Sequence, residues 1–116
     1  MESMNNNTII LFTHYGLGSA PEQLPLTLVA KFLSLWLESG DLPAKILFYT
    51  EGVKLACNGS PVLEQLKALE KQGVELVLCK TCLDFFELAD QVQVGVVGGM
   101  GDIMEALQKA EKVITV

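Results

Sequence analysis

The chain has 116 residues, half of them hydrophobic and 19% charged, with a net charge of -6. That is enough for one domain, residues 1–116, with a real core, and too apolar for a disordered chain. There is no arginine and the eight lysines are scattered, which argues against direct nucleic-acid binding and excludes bidentate guanidinium recognition of phosphate or carboxylate. No apolar run approaches the roughly 20 residues needed to span a bilayer, so no membrane partner is expected. The opening MESMNNNT is polar and carries no Lys or Arg. It lacks the basic and apolar regions of a secretory signal, and a cytoplasmic location is expected. Three cysteines is an odd number, of little use for structural disulfides in the cytosol.

Residues 7–13 (NTIILFT) form a short β-branched apolar run, the first expected strand. The stretch 14–20 (HYGLGSA) is loop, and Ser19 with Glu22 has the spacing of a capping box. A helix is expected over 24–38, with Pro21 and Pro25 near its start and Gly40 at its end. Strand two is 46–50 (ILFYT), and 51–58 (EGVKLACN) is loop with one helical turn. Ser60-Pro61 reads as a helix start, and Gly73 ends that helix after Gln72. Strand three is 74–78, a helix is expected over 82–89, and strand four over 92–97. Gly98-Gly99 is a loop, a helix follows over 101–110, and 112–116 is strand five.

Strands alternate with helices, and the strands are apolar on both parities, as they are when both faces are covered. The expected fold class is α/β, a three-layer α/β/α sandwich with a largely parallel five-stranded sheet. The helix at 24–38 is apolar around almost its whole circumference, with Leu24, Leu26, Leu28, Val29, Phe32, Leu33, Leu35, Trp36 and Leu37. A helix of that kind is covered on more than one side, most simply by a second subunit.

Ligands bind outside the carboxyl ends of the strands in such sheets. Those ends lead into His14–Gly18, Glu51–Val53, Cys79–Cys82 and Gly98-Gly99. Cys79 and Cys82 flank the turn from strand three into a helix. With Thr81 as N-cap, Cys82 falls at the first helical position, where unpaired N–H groups lower a thiol pKa. Lys80 adds positive charge if its side chain turns inward. Either cysteine can be the nucleophile on these grounds. Cys57 stands apart and reads as a half-buried spacer. A structural zinc needs four ligands and no second close cysteine pair exists, so no metal and no cofactor is expected. His14, as a lone loop histidine, is at most a lining group. Asp84, Glu87 and Asp90 read as a solvated helix face. Gly98-Gly99 offers a backbone cradle for an anion but matches no dinucleotide or phosphate motif.

From Leu42 to Val116 the chain resembles the DsrE-like sulfurtransferase superfamily, above all in FYTEGVKLACNGSPVLEQL and GVELVLCKTCLDFFEL. Within it the chain is most similar to the DsrE-like domain of YedF-type selenium-metabolism proteins. The resemblance implies a single DsrE-like domain, trimers or hexamers, and a sulfur relay through a cysteine persulfide. It places Cys79 at the sulfur-carrying position and Cys82 at the second cysteine of a CGTC motif. His14, Gly52, Thr81, Gly98 and Gly99 would line the site. Three departures stand out: CGTC reads CKTC, the usual Asn-Met-Tyr loop is Gly99-Met100-Gly101, and the loop after the first strand is changed. The implied partners are sulfur donor and acceptor proteins. A separate sulfur-carrier protein would supply in trans the Cys-Pro domain of YedF-type chains.

The expected function is sulfur relay, with sulfane sulfur held as a persulfide on Cys79, passed to an acceptor thiol, and resolved or positioned by Cys82. Two other classes stay open: a non-catalytic assembly or ligand-binding module of the same fold, and a Cys-x-x-Cys thiol–disulfide oxidoreductase.

Overall fold

The computed structural model describes residues 7–116; the signal-peptide reading of residues 1–6 lies outside them. Five strands, β1 (Thr8–Phe12), β2 (Lys45–Phe48), β3 (Glu75–Cys79), β4 (Val96–Gly98) and β5 (Lys112–Thr115), form one sheet in the order β4-β3-β2-β1-β5. All four strand pairs are parallel, which makes the sheet parallel throughout.

The connections explain the layers. From β1 the chain steps outward through helix α1 (Leu24–Ser39), then a 3-10 helix (Thr50–Ala56) and helix α2 (Leu63–Lys71), then the short helix α3 (Lys80–Phe85). Helix α4 (Met100–Lys109) carries the chain back across the sheet to β5. Right-handed crossovers running in opposite directions place their helices on opposite faces. Ile10, Phe12, Ile46, Phe48, Leu76 and Leu78 share one face by register, the face of α1 and α2. Ile9, Leu47, Val77 and Cys79 share the face of α4.

The first face holds the aromatic core. Phe12 stacks on Phe48 with centroids 5.6 Å apart and meets Phe32 of α1 edge-on at 6.4 Å. Both Phe12 and Phe48 are fully buried. Each such side chain contributes roughly 1.5–3 kcal/mol by leaving water. Helix α1 buries Pro25, Val29 and Leu33, a four-residue spacing that keeps one stripe on the sheet. Its outer stripe, Leu24, Leu28 and Leu35, remains exposed; Leu35 is 64% exposed. Gly40 closes the helix in the left-handed conformation, as its position implies.

Several boundaries differ from the sequence reading. The Ser19/Glu22 capping box does not form: Glu22 has φ 63, and the N-cap is Gln23 with no side-chain hydrogen bond. Strand four is Val96–Gly98, not 92–97. Residues 91–93 pair instead with the chain after the 3-10 helix: Asn58 N–H donates to Gln91 O, Gln93 N–H to Ala56 O, and Cys57 bridges Val92. Helix α3 starts at Lys80 rather than 82 and ends at Phe85, where Phe86 N–H returns to Cys82 O and Glu87 takes φ 58. Ser60 and Pro61 are not the cap and first residue of α2: the helix starts at Leu63 with Val62 as N-cap, and the Ser60 hydroxyl accepts from Val62 N–H at 3.2 Å just before it. No helix among the described residues is long and apolar enough to cross a membrane.

Candidate functional site: a thiol pair at the carboxyl edge of the sheet

Cys79 ends β3 and is the N-cap of α3, so Cys82 is the third helical residue, not the first. Three residues apart across a helix start, their side chains lie side by side. Cys79 is wholly enclosed, whereas Cys82 is only partly covered. Cys79 acts on the Cys82 thiol electrostatically, raising its pKa. Helix α3 has only six residues, too few for its dipole to dominate the site.

Among the described residues, the main-chain donor to this pair comes from elsewhere in the chain. Thr50 N–H donates to Cys82 Sγ at 3.0 Å. Thr50 has φ 48, in the left-handed region. A β-branched residue there costs about 1–3 kcal/mol and persists only where its surroundings hold it. They do so here. Tyr49 N–H donates to Phe12 O at 3.1 Å, tying the segment to the end of β1. The Thr50 hydroxyl lies 2.6 Å from Thr13 O and 2.7 Å from Tyr49 O, donating to one at a time. Gly52 sits against the same strand end, where a Cβ would fall on the carbonyl oxygen of Phe12.

The electrostatics differ from the sequence expectation of an acidified thiol. Burial pushes the Cys82 thiol up, and the neighbouring Cys79 pushes the same way; the Thr50 N–H pulls it back in part. Lys80 does not turn inward. Its Nζ bonds Asp84 Oδ2 at 2.9 Å on the exposed side of α3. Asp84, Glu87 and Asp90 form the exposed face that the sequence predicts, with Asp84 pairing Lys80 there.

The remaining lining candidates separate into two groups. Gly98 pairs with Cys79 in the β3–β4 register, and a Cβ on it would lie 2.8 Å from Val77 Cγ1. His14 is exposed, its Nδ1 3.0 Å from Thr13 Oγ1, one residue from the carbonyl that Thr50 reaches. Thr81 is exposed and does not cap the helix. Gly99 forms no open cradle, because its N–H already donates to the Asp102 carboxylate at 2.9 Å. Sequence reasoning missed Thr50, which it placed inside strand two. A threonine after an apolar run carries no mark of a left-handed backbone.

Cys57 is buried rather than half-buried, its thiol donating to Val53 O at 3.3 Å, and burial pushes its pKa up. It lines a cavity of about 340 Å³ with Tyr15, Lys54, Asn58, Phe86 and Leu88, where Lys54 Nζ lies 4.4 Å from the Phe86 ring centre. Among the described residues no three metal-ligating side chains cluster.

No curated protein matches the chain. Solved structures do. The chain is similar to the YchN protein of E. coli, with a TM-score of 0.73 and 20% identity, covering 97% of this chain and 100% of that one. It is also similar to MTH1491, a protein of unknown function from Methanobacterium thermoautotrophicum, with a TM-score of 0.69 and 15% identity over 94% and 97% of the two chains. BT1422 of Bacteroides thetaiotaomicron, likewise of unknown function, gives 0.69 and 18% over 99% and 100%. These likenesses show the three-layer α/β/α fold. The model of the DsrE/DsrF-like family matches residues 6–116, and the chain belongs to that family.

Proposed function

We propose that the protein is a cytoplasmic sulfur-relay component that holds sulfane sulfur as a persulfide on Cys79 and hands it to an acceptor thiol. The observation that carries the reading is the thiol pair itself: Cys79 enclosed at the carboxyl end of β3, and a partly exposed Cys82 three residues on across the start of α3. Enclosure keeps a bound sulfur from water and stray oxidants, and the neighbouring thiol gives it a path to partners. Family membership supports the sulfur-relay class.

The step balances without a cofactor. The Cys79 thiolate attacks the terminal sulfur of a donor persulfide, R–S–SH. The donor S–S bond breaks, a new S–S bond forms on Cys79, and R–S⁻ leaves with the bonding pair and takes up a proton. Transfer onward reverses the roles, with an acceptor thiolate attacking and Cys79 leaving. If Cys82 instead attacks Cys79 Sγ, a Cys79–Cys82 disulfide forms and hydrosulfide departs.

The test is the intact mass of the protein after exposure to a sulfane-sulfur donor, with and without reductant. A reductant-sensitive gain of one sulfur atom, lost in Cys79→Ser, is expected. A loss of two hydrogens with no sulfur gained and no hydrosulfide released would make the pair a dithiol–disulfide couple instead, the reading that the Cys-x-x-Cys spacing also favours. The reading includes a homo-oligomer, trimer or hexamer, closing over the exposed Leu24, Leu28 and Leu35 stripe of α1. Light scattering on the wild type and Leu35→Lys tests it; a monomer in both cases would remove the oligomer from the proposal.

A further inference from the structure

We propose that Thr50 is a positioning residue of the thiol pair: its main-chain N–H holds the Cys82 sulfur as an acceptor, so that the one thiol proton of Cys82 faces Cys79 and serves it as a local acid. This rests on the reading that Cys79 and Cys82 are the sulfur-handling site.

The geometry sets the direction of each hydrogen bond. An N–H can only donate, so in the Thr50–Cys82 contact at 3.0 Å the sulfur of Cys82 accepts. Cys82 then has its single S–H left to give, and Cys79, three residues back across the helix start, is the thiol beside it. Cys79 is fully enclosed and Cys82 is not. The partly exposed Cys82, which exchanges with solvent, is thus the proton source next to Cys79. With the Cys82 proton given to Cys79, the Thr50 N–H bond and the thiol bond form one chain, and each bond in such a chain strengthens the next.

The proton has work at each hand-over. When an acceptor thiolate takes the terminal sulfur from Cys79–S–SH, the Cys79 sulfur leaves as a thiolate with the bonding pair. The Cys82 proton moves to it. The charge then rests on Cys82, where Thr50 N–H bonds an anion rather than a neutral sulfur, and solvent returns the proton. Charged acceptors make the stronger hydrogen bond.

Nothing in the local fold requires this backbone shape for itself. Thr50 is exposed and adopts φ 48 although threonine resists it. What holds it there is its own hydroxyl on Thr13 O, the Tyr49 N–H on Phe12 O, and Gly52 fitted against Phe12. The hydroxyl is thus a clamp that aims the N–H.

The experiment measures alkylation of Cys79 and Cys82 separately, by peptide mass, as a function of pH, together with sulfur hand-over from loaded protein to glutathione. Thr50→Val removes the clamp at nearly constant shape, Thr50→Ala does so without a β-branch should the valine variant fail to fold, and Thr50→Ser keeps the clamp. Valine and alanine should move the Cys82 midpoint to higher pH and slow hand-over roughly fivefold, the size of one net hydrogen bond. Serine should match the wild type in both. A role in folding alone would lower the melting temperature and leave the Cys82 midpoint in place, which overturns the proposal. A serine variant that behaves like alanine overturns it too. A midpoint that moves in a protein that takes up no sulfur would sustain the positioning and sink the relay; normal loading and hand-over with an unmoved midpoint would do the reverse.

Discussion

Two strand-to-helix turns stand side by side at the carboxyl edge of the sheet, and they have opposite characters. The turn from β4 into α4 closes on itself. Asp102 reaches back to Gly99 N–H at 2.9 Å, while Asp102 N–H and Ile103 N–H both return to Gly99 O. The turn from β3 into α3 has no side-chain cap of its own. Its second cysteine takes an N–H from Thr50, 32 residues earlier in the chain. The first turn pairs Gly99, Asp102 and Ile103 N–H within its own five residues. The second depends on a strained residue of another connection, so its chemistry is tied to the end of β1. A helix start becomes a reactive site by what it leaves unpaired or borrows, not by its place on the edge.

The largest break in this comparison should come from Gly52→Ala. The added Cβ would collide with the carbonyl oxygen of Phe12, a backbone atom that cannot rotate away. The 3-10 helix must shift and carry Thr50 with it. Overpacking of this kind costs about 1–3 kcal/mol. Thermal unfolding should show that loss, and peptide-resolved alkylation should show a changed Cys82. Gly52→Ala with wild-type stability and wild-type Cys82 reactivity would mean that the segment is not pressed on β1.

Asp102→Ala attacks the other turn. Losing the carboxylate that caps α4 should cost about 1 kcal/mol, read in denaturant unfolding. Cys79 and Cys82 alkylation should stay at wild-type rates. A change at the thiols would show that the two turns are coupled through Gly98, which pairs with Cys79.

A pH series sharpens the comparison further, because the raised thiols belong to one side of it. Burial raises the Cys82 and Cys57 thiols above their ordinary range. Both are therefore neutral when folded at pH values where the unfolded chain begins to ionise them. The stability that this contributes is whole below the ordinary thiol pKa and is lost as pH rises through it toward the folded value. Stability should hold across neutral pH and fall on the alkaline side. Cys57→Ala with Cys82→Ala should flatten that fall, whereas Asp102→Ala should leave it in place.

The fold was legible in the chain because its signals are local. Apolar β-branched runs, Gly40 after a helical stripe and the alternation of elements are each readable within a dozen residues. The family resemblance located the thiol pair for the same reason, since CKTC is contiguous. What failed to show were facts made by distant pairing. Residues 92–95 look like a strand, but 91–93 pair with 56–58 and leave the sheet only Val96–Gly98. Cys82 looks like the first residue of a helix and Lys80 like a cation beside it, but Cys79 takes the cap position and Asp84 takes the lysine. Thr50 was invisible for the strongest version of that reason: its role comes from three contacts with the end of another strand.

Lys80→Ala should have the smallest effect, and it separates two accounts of thiol reactivity. Lys80 stands between the two cysteines in sequence, which makes it an apparent source of positive charge for the sulfurs. In the structure its ammonium is held by Asp84 at 2.9 Å, with the lysine side chain 67% exposed. An exposed pair four residues apart on a helix contributes about 0.3–0.5 kcal/mol. At that exposure, water and salt screen the charge before it reaches an enclosed thiol. Lys80→Ala should therefore lower stability only slightly and leave the pH profiles of Cys79 and Cys82 alkylation unmoved in both low and high salt. An upward move of either thiol in low salt, reversed by high salt, would place Lys80 among the groups that tune the site. Thr50 would then share that role with an electrostatic partner from α3.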